Sequence, residues 1–422
     1  MSWIDRTSET YHSLEKETDS KRQERKWQEV QRYLQLAAQN STEFDKRLQS
    51  AGLESTAIHS FDDFSSIPPL RKKDLIQKQN KHGLADFLTC DIGQLKRLYQ
   101  SPGPLFDPEG ADKDYWGWSE AFFAAGFRAN DLVQMTFSYH LTPAGLMLEE
   151  PLREIGCCVI PAGPGNTNKQ IELMTSLPVT GFVGMASYLK NIAQQASAQG
   201  LDLQKDFSLQ VAFVAAEKLT QSLREEVEQL FGISVRQGYG TADVGCIAYE
   251  CPQLGGMHLS SRCYVEICDP DSGRPLPEGS TGEVVVTPFS GAYPLIRLAT
   301  GDLSRLETGT CSCGRTSPKL VGILGRVDNT VKVKGQFIYA DQTASVIKQF
   351  PQIKNWQLIV DNQGGKDSIT LRLVTQGELD QSAFVTLFQE RLKLRPAIQI
   401  LPPGEELEED AEQVVDKRSF QD

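Results

Sequence analysis

The sequence predicts an α/β protein. A large N-terminal domain of parallel βαβ subdomains carries a β-barrel-like subdomain, and a small α+β domain follows it at the C-terminus. Three observations predict this. Between about residues 95 and 235, short apolar runs alternate with segments of helical period, the pattern of βαβ units around a mostly parallel sheet. From about 255 to 306 the pattern shortens to strands and turns. After Arg326, strands and helices resume as a separate small unit.

Taken in order, residues 21–51 read as helical, with Trp27, Val30, Leu34 and Ala37 at helical spacing among charged residues. Ser65-Ser66-Ile67-Pro68-Pro69-Leu70 breaks the chain, since proline offers no N–H and restricts its neighbour. Strands are expected at Leu132–Thr136, Cys157–Ile160, Thr180–Val183 and Leu209–Ala215, with helices between them. Tyr264–Cys268 leads through Asp269-Pro270-Asp271-Ser272-Gly273 to Gly282–Val286, an antiparallel pair joined by a turn. In the last unit, strands are expected at Thr330–Val333, Trp356–Val360 and Ile369–Leu373, and helices at Gln342–Gln349 and Ser382–Leu392. Tyr115, Trp116 and Trp118 are most simply helix packing. A chain of 422 residues suffices for two or three cores. The expected division is 1–325, with its β subdomain at about 245–325, and 326–422.

Composition excludes several classes of function. The formal net charge of −12 argues against general nucleic-acid binding and against docking on anionic lipid. No apolar run approaches the roughly 18 residues that a membrane span needs. Met1-Ser2-Trp3-Ile4-Asp5-Arg6 lacks the apolar stretch of a signal peptide. A cytoplasmic location is therefore expected, in which the nine cysteines stay reduced. A second copy of the chain is a compatible partner.

Four segments carry chemistry. Pro294-Leu-Ile-Arg-Leu-Ala-Thr-Gly-Asp-Leu303 is an apolar strand entering a Thr300-Gly301 turn that presents the carboxylate of Asp302. Such a carboxylate can accept two hydrogen bonds from a ribose diol, or it can simply be solvated. Gly325-Arg326-Val327-Asp328-Asn329 is followed by the alternating run Val331-Lys332-Val333-Lys334-Gly335. Gln237-Gly238-Tyr239-Gly240-Thr241-Ala242-Asp243 is a glycine-rich turn with one aromatic and one acid. Finally, Cys251, His258, Cys311 and Cys313 form a Cys₃His set suited to tetrahedral zinc; buried, incidental cysteines are the alternative.

These segments, in this order, resemble the adenylate-forming ligases, in the branch that includes phenylacetate–CoA ligase and the coenzyme F390 synthetase-like proteins. The similarity runs from about Asp63 to the C-terminus. It implies ATP-dependent, AMP-forming activation of a carboxylic acid, aryl or acyl, followed by transfer to CoA, with Mg²⁺ bound. Asp302 would hold the ribose, Arg326 the phosphate, and Asp328 would be the hinge of a mobile C-terminal domain. Tyr239 would stack on adenine among Gly238, Gly240 and Thr241, with Ala216 and Glu217 lining the same pocket after the Leu209–Val214 strand. Asp243, where the family has Glu, would hold magnesium. Tyr139 and His140 fall in the region that lines the acyl pocket; His140 is read either as a pocket residue or general base, or as a satisfied core histidine. Relatives also carry Glu250-Cys251, Gly256-Met257-His258 and Cys311 to Thr316, which favours zinc. Four protein ligands leave no open position, so its role would be structural, clamping the segment after Tyr239 to the segment after Asp302.

Two departures stand out. Where the family has a Ser/Thr/Gly-rich loop ending in Gly-Lys to cradle phosphate, this chain reads Gln100-Ser-Pro-Gly-Pro-Leu-Phe-Asp-Pro-Glu-Gly110. It has three prolines, and two acids expected to face the phosphates. Where the family has its C-terminal Lys, Asp410 or Gln413 stands, and Lys417 would replace it only if the chain bends back. Two alternatives to CoA ligation follow: a catalytically impaired homologue that binds nucleotide or acyl ligand as a sensor or partner subunit, and transfer to an amine or carrier protein.

Overall fold

The structure is a computed structural model that describes residues 6, 7, 9–101, 105–327, 330–333, 336–363, 366–392, 394–402, 405, 407 and 413–417. The chain divides into two compact units: Met1–Thr300 with Arg305–Gly322, and Gly301–Ser304 with Ile323–Asp422. Asp328 and Asp410 lie outside the described residues.

The first unit is organised by a nine-stranded sheet. Its order is Leu306–Glu307, Lys319–Leu320, Met257–Leu259, Gly245–Glu250, Ser234–Thr241, Val211–Val214, Gly181–Gly184, Leu132–Met135 and Cys158–Pro161. The last five of these are parallel and the others antiparallel, so the sheet changes character at Ser234–Thr241. The four parallel strands expected from the sequence are all present, shifted by one or two residues. They are apolar runs because helices cover them: Val133, Phe182, Ala212 and Phe213 are fully buried. The antiparallel pair Cys263–Cys268 and Gly282–Pro288 forms as expected. It belongs to a second sheet with Leu298–Ser304 and the short strand Leu70–Arg71, so the strands of the β subdomain are shared between two sheets.

The helical run at 21–51 is two helices, Asp19–Asn40 and Thr42–Ser50. Ser41 separates them and its hydroxyl accepts from Phe44 N–H, capping the second. Tyr115, Trp116 and Trp118 are not on a helix. They lie in the turn before the helix Ser119–Ala125 and are buried in the core beside Phe122 and Phe213. Asp114, at φ +43, and Gly117, at φ +69, turn the chain here, and the Asp114 carboxylate accepts from Trp118 N–H and Ser119 N–H, both at 2.9 Å.

Arg297 holds the second sheet to the Ser65–Leu70 break. It is fully buried, with φ +53, and its guanidinium donates to Glu266 Oε2 at 2.9 Å, Ser65 O at 2.6 Å, Gly273 O at 2.8 Å and Ile67 O.

In the second unit, Gly325–Arg326 pairs with Asp302–Leu303. A four-stranded sheet of Ala397–Ile400, Lys366–Thr375, Ile353–Gln363 and Val414–Asp416 packs its apolar residues with those of the helices Ala340–Ile347 and Gln381–Leu392.

Candidate active site and metal centre

Open parallel sheets bind ligands beyond the carboxyl ends of their strands, at the point where strand order or direction changes. The candidate residues of the first unit gather there. Tyr139 and His140 follow Leu132–Met135, Ala216 and Glu217 follow Val211–Val214, and Tyr239 to Asp243 end and follow Ser234–Thr241. A β-bulge between Tyr239 and Gly240 turns the strand at this end. Gly238 and Gly240 lie flat on aromatic rings: a Cβ on Gly238 would come within 2.5 Å of Phe213 and one on Gly240 within 2.6 Å of Trp118. Only glycine permits that approach. Tyr239 Oη donates to Thr300 Oγ1 at 3.3 Å, and Thr241 Oγ1 accepts from Val244 N–H at 3.3 Å.

Ala216 has φ +70, a strained conformation for a residue with a Cβ. The turn is held by Glu217, whose carboxylate accepts from Ser187 N–H and Ser187 Oγ, both at 2.7 Å, at the start of the helix Ala186–Ala198.

Asp243 is buried, with Lys72 Nζ 2.9 Å from its Oδ2. The pair is an ion contact without hydrogen-bond alignment, and neither carboxylate oxygen has an aligned donor among the described residues. Lys72, at the start of the helix Lys72–His82, was not singled out in the sequence. Among Arg71, Lys72, Lys73 and Asp74 it reads as a solvated helix start, and no spacing links it to Asp243.

Tyr139 donates to Glu149 Oε2 at 2.7 Å, and burial, then that carboxylate, push its hydroxyl well above the usual range. His140 is exposed, which rules out its reading as a core histidine. The expectation that Asp107 and Glu109 face phosphate is also corrected. They belong to a hairpin, Arg97–Ser101 with Leu105–Glu109, whose turn residues 102–104 lie outside the described residues. Both acids are buried, and Glu109 is taken up by Arg97 Nη1 at 2.9 Å and Tyr99 Oη at 2.8 Å. Period-two alternation in a hairpin puts residues 107 and 109 on one face, and that face is the inner one.

In the second unit Asp302 and Arg326 stand opposite each other in register, with Arg326 Nη1 2.7 Å from Asp302 Oδ1. Gly301 has φ +78, and a Cβ there would meet Arg326 Nη2 at 2.7 Å, so the Thr-Gly-Asp turn and the arginine require each other's shape. Gln413 is exposed, and its carbonyl accepts from Leu358 N–H at 2.8 Å. Val414–Asp416 then runs parallel to Ile353–Gln363, and Lys417 N–H donates to Val360 O at 2.8 Å. In a strand, four residues span roughly 13 Å. Lys417 therefore leaves the strand far from Gln413 and does not take its place.

The four metal-site candidates come together. The ligand atoms of Cys251, His258, Cys311 and Cys313 lie within 4.8 Å of one another. Neighbouring strands deliver them: Cys251 follows Gly245–Glu250, His258 is on Met257–Leu259, and Cys311 and Cys313 lie in the turn between Leu306–Glu307 and Lys319–Leu320. The donors fit zinc. His258 Nδ1 faces Ser317 O at 3.0 Å, which turns Nε2 inward to 3.5 Å from Cys313 Sγ. The Cys251 thiol, the His258 ring and Arg315 N–H all favour a thiolate at Cys313. The same sharing, with burial, pushes the Cys251 thiol up. Glu250, named in the sequence only as the neighbour of Cys251, ties this centre to the Tyr239 strand: its carboxylate accepts from Gln237 N–H at 3.0 Å and from Arg224 Nη2 at 2.7 Å.

Residues 125–289 match the family described as "AMP-binding enzyme". Phenylacetate–coenzyme A ligase of Thermus thermophilus is 28% identical over 362 residues, 83% of this chain and 79% of its own length. The Escherichia coli K12 enzyme of the same name is 28% identical over 376 residues, 86% of this chain and 83% of its own. In fold, the chain is similar to an open conformation of 2-hydroxyisobutyryl-CoA ligase in complex with 2-HIB-AMP and CoA. That likeness has a TM-score of 0.87 at 22% identity and covers 96% of this chain and 93% of the other. With the motif residues set at the carboxyl ends of the parallel strands, residues 125–289 match the AMP-binding enzyme family, and the chain as a whole is similar over most of its length to phenylacetate–CoA ligases.

Proposed function

We propose that this protein activates a carboxylic acid with ATP and passes the acyl group to CoA. In the first half-reaction a carboxylate oxygen attacks the α-phosphorus, the bond to the β-phosphate breaks, and pyrophosphate leaves. In the second, the CoA sulfur attacks the acyl carbon, the bond to AMP breaks, and AMP leaves. The single observation that carries this reading is the gathering of Ala216, Glu217, Tyr239, Gly240, Thr241 and Asp243 at the carboxyl edge of the parallel sheet. Tyr239 offers its ring to adenine, Asp302 its carboxylate to the ribose, and Arg326 its guanidinium to phosphate. Tyr139 and His140 face the acid. Asp243 would hold magnesium, a hard cation suited to a carboxylate, which when bound neutralises phosphate charge. Lys72 is half exposed and able to leave Asp243 for the phosphates, supplying a cation that the Gln100–Gly110 segment lacks.

Zinc at Cys251, His258, Cys311 and Cys313 would be structural, and through Glu250 would steady the Tyr239 strand. The large unit would run to residue 325, with residues 326–422 turning about Asp328. A cytoplasmic enzyme acting on small molecules, as a monomer or homodimer, is the simplest setting.

A second reading, a homologue with impaired adenylation, is favoured by Gln413. A cation at the developing charge is worth about 3 kcal/mol, or on the order of a hundredfold in rate. Transfer to an amine or carrier protein is a third reading. Pyrophosphate exchange over a panel of aryl and aliphatic acids separates them. Exchange by the wild-type chain with CoA-dependent release of AMP supports the ligase. Exchange without CoA dependence supports another acceptor. Exchange that appears only in Gln413→Lys, or ATP binding with no exchange, supports the impaired homologue.

A further inference from the structure

We propose that residues 9–17 form a strap whose docking is governed by metal occupancy of the Cys251, His258, Cys311 and Cys313 set; this rests on the zinc reading above. The loop that carries Cys311 and Cys313 is the same loop that holds the strap. Arg315 is fully buried, its N–H donates to Cys313 Sγ at 3.4 Å, and its Nε donates to Glu15 Oε2. Thr316 N–H donates to Glu15 O at 3.0 Å, and Thr316 Oγ1 donates to Glu17 O at 2.5 Å. Arg315 Nη2 reaches Glu9 O at 3.4 Å. From the opposite arm of the site, Tyr249, two residues before Cys251, donates from Oη to Glu15 Oε2 at 3.1 Å. Glu15 therefore receives one bond from each side of the metal centre. Its other oxygen accepts from Tyr11 N–H at 2.5 Å and His12 N–H at 3.2 Å, so the carboxylate also organises the strap itself.

Within the loop, the bonds among the described residues are Gly314 N–H to Cys311 O at 2.9 Å and Arg315 N–H to Cys313 Sγ, and the cysteines reach the rest of the site through Cys251 Sγ, 3.7 Å from Cys311 Sγ, and His258 Nε2, 3.5 Å from Cys313 Sγ. Four ligand bonds fix where Cys313 sits, and Arg315 and Thr316 follow from it in sequence. Release of the metal frees Arg315, and with it the partner of a buried carboxylate. The strap then lifts from a cavity of ≈ 160 Å³ that Leu14 and Glu15 line with Arg22, Lys26, Glu120 and Tyr249. Linkage makes the coupling reciprocal: the factor by which bound metal favours the docked strap is the factor by which the docked strap favours metal binding.

The test uses the full chain. Elemental analysis first establishes bound zinc; its absence ends both the zinc reading and this one. Hydrogen exchange is then compared before and after chelation. The expected result is at least tenfold faster exchange at Tyr11, His12, Glu15 and Glu17 with Val211–Val214 unchanged. Zinc bound but strap exchange indifferent to chelation overturns the strap proposal alone. In the reverse direction, Glu15→Gln and, separately, Thr316→Val weaken zinc about tenfold in competition with a chromogenic chelator. Arg6→Gln, which cuts the strap's upstream tie to Asp131 at 2.8 Å, leaves zinc affinity unchanged. Equal zinc affinity in all three variants overturns the coupling.

Discussion

Asp243 keeps both carboxylate oxygens out of solvent with one ammonium, Lys72 Nζ, 2.9 Å from Oδ2. A buried charge with so few partners is costly unless a cation arrives, and that argues for a carboxylate waiting on a ligand. If Lys72 carries charge to the phosphates, Lys72→Met raises KM for ATP by about tenfold or more, the worth of one charged hydrogen bond, while Lys72→Arg retains most of the affinity. Steady-state kinetics with ATP varied checks this; equal KM in all three proteins removes Lys72 from the site. Arg297 poses a different case, because its charge serves only the fold. Arg297→Ala leaves Glu266 buried beside two carbonyls of the Ser65–Leu70 break that have lost their donor, at a cost of about 3–5 kcal/mol. Urea denaturation followed by fluorescence reads it out as a lowered midpoint. Asp302, Tyr239 and the Cys₃His set were legible because each sits in a local string with its own chemistry. Lys72 and Glu15 were not, because what makes each matter is a partner far along the chain, Asp243 and Arg315, that only folding supplies.

The strands of the parallel sheet were read to within two residues, since an apolar run buried on both faces announces itself. The Gln100–Gly110 segment was read as departing from the usual phosphate loop, and its acids were assigned to the wrong face. Hairpin register decides that, and the three prolines obscured it. The strap illustrates what an element can hide altogether: Ser13–Lys16 is a single turn of 3₁₀ helix, too short to show a period. Its pH response follows from His12, whose Nε2 lies 2.8 Å from Glu120 Oε1. Burial works against the imidazolium, but the Glu120 bond and charge outweigh it and raise the His12 pKa; burial likewise opposes the Glu120 carboxylate, and His12 and Ser261 outweigh it and lower the pKa. A raised histidine stabilises below its unfolded pKa of 6.5, and that contribution is lost as pH climbs through the folded value. A lowered carboxylate stabilises above 4.5, and its contribution is lost as pH falls through its folded value. The pair therefore stabilises most between those two reference values and fades above them. Thermal melts of the wild type and His12→Gln should differ most near pH 5.5 and converge by about pH 8.5. Parallel curves across that range would assign the pair no role.

At the scale of the molecule, two units with separate cores invite the question of what joins their work. Gly325–Arg326 is hydrogen-bonded to Asp302–Leu303, and the next described strand, Thr330–Val333, pairs with Gln336–Tyr339 instead. A pivot at Asp328 would therefore leave the Asp302–Arg326 pair intact while everything beyond it turns. Such a pivot would separate two needs: a nucleotide grip by Asp302 and Arg326 would persist through both half-reactions, and only the residues presented to the α-phosphate or to CoA would be exchanged. A hinge must change φ and ψ at one residue, and proline fixes φ near −65°. Asp328→Pro is accordingly expected to keep pyrophosphate exchange within a few-fold of wild type and to lower CoA-dependent thioester formation by at least tenfold. Asp328→Ala, which keeps backbone freedom, should preserve both. Measured side by side, the two half-reactions give a ratio that stability and expression cannot mimic, since a misfolded variant loses both together. If proline slows both steps equally, or neither, the turning point is elsewhere and the two half-reactions share one arrangement of the chain.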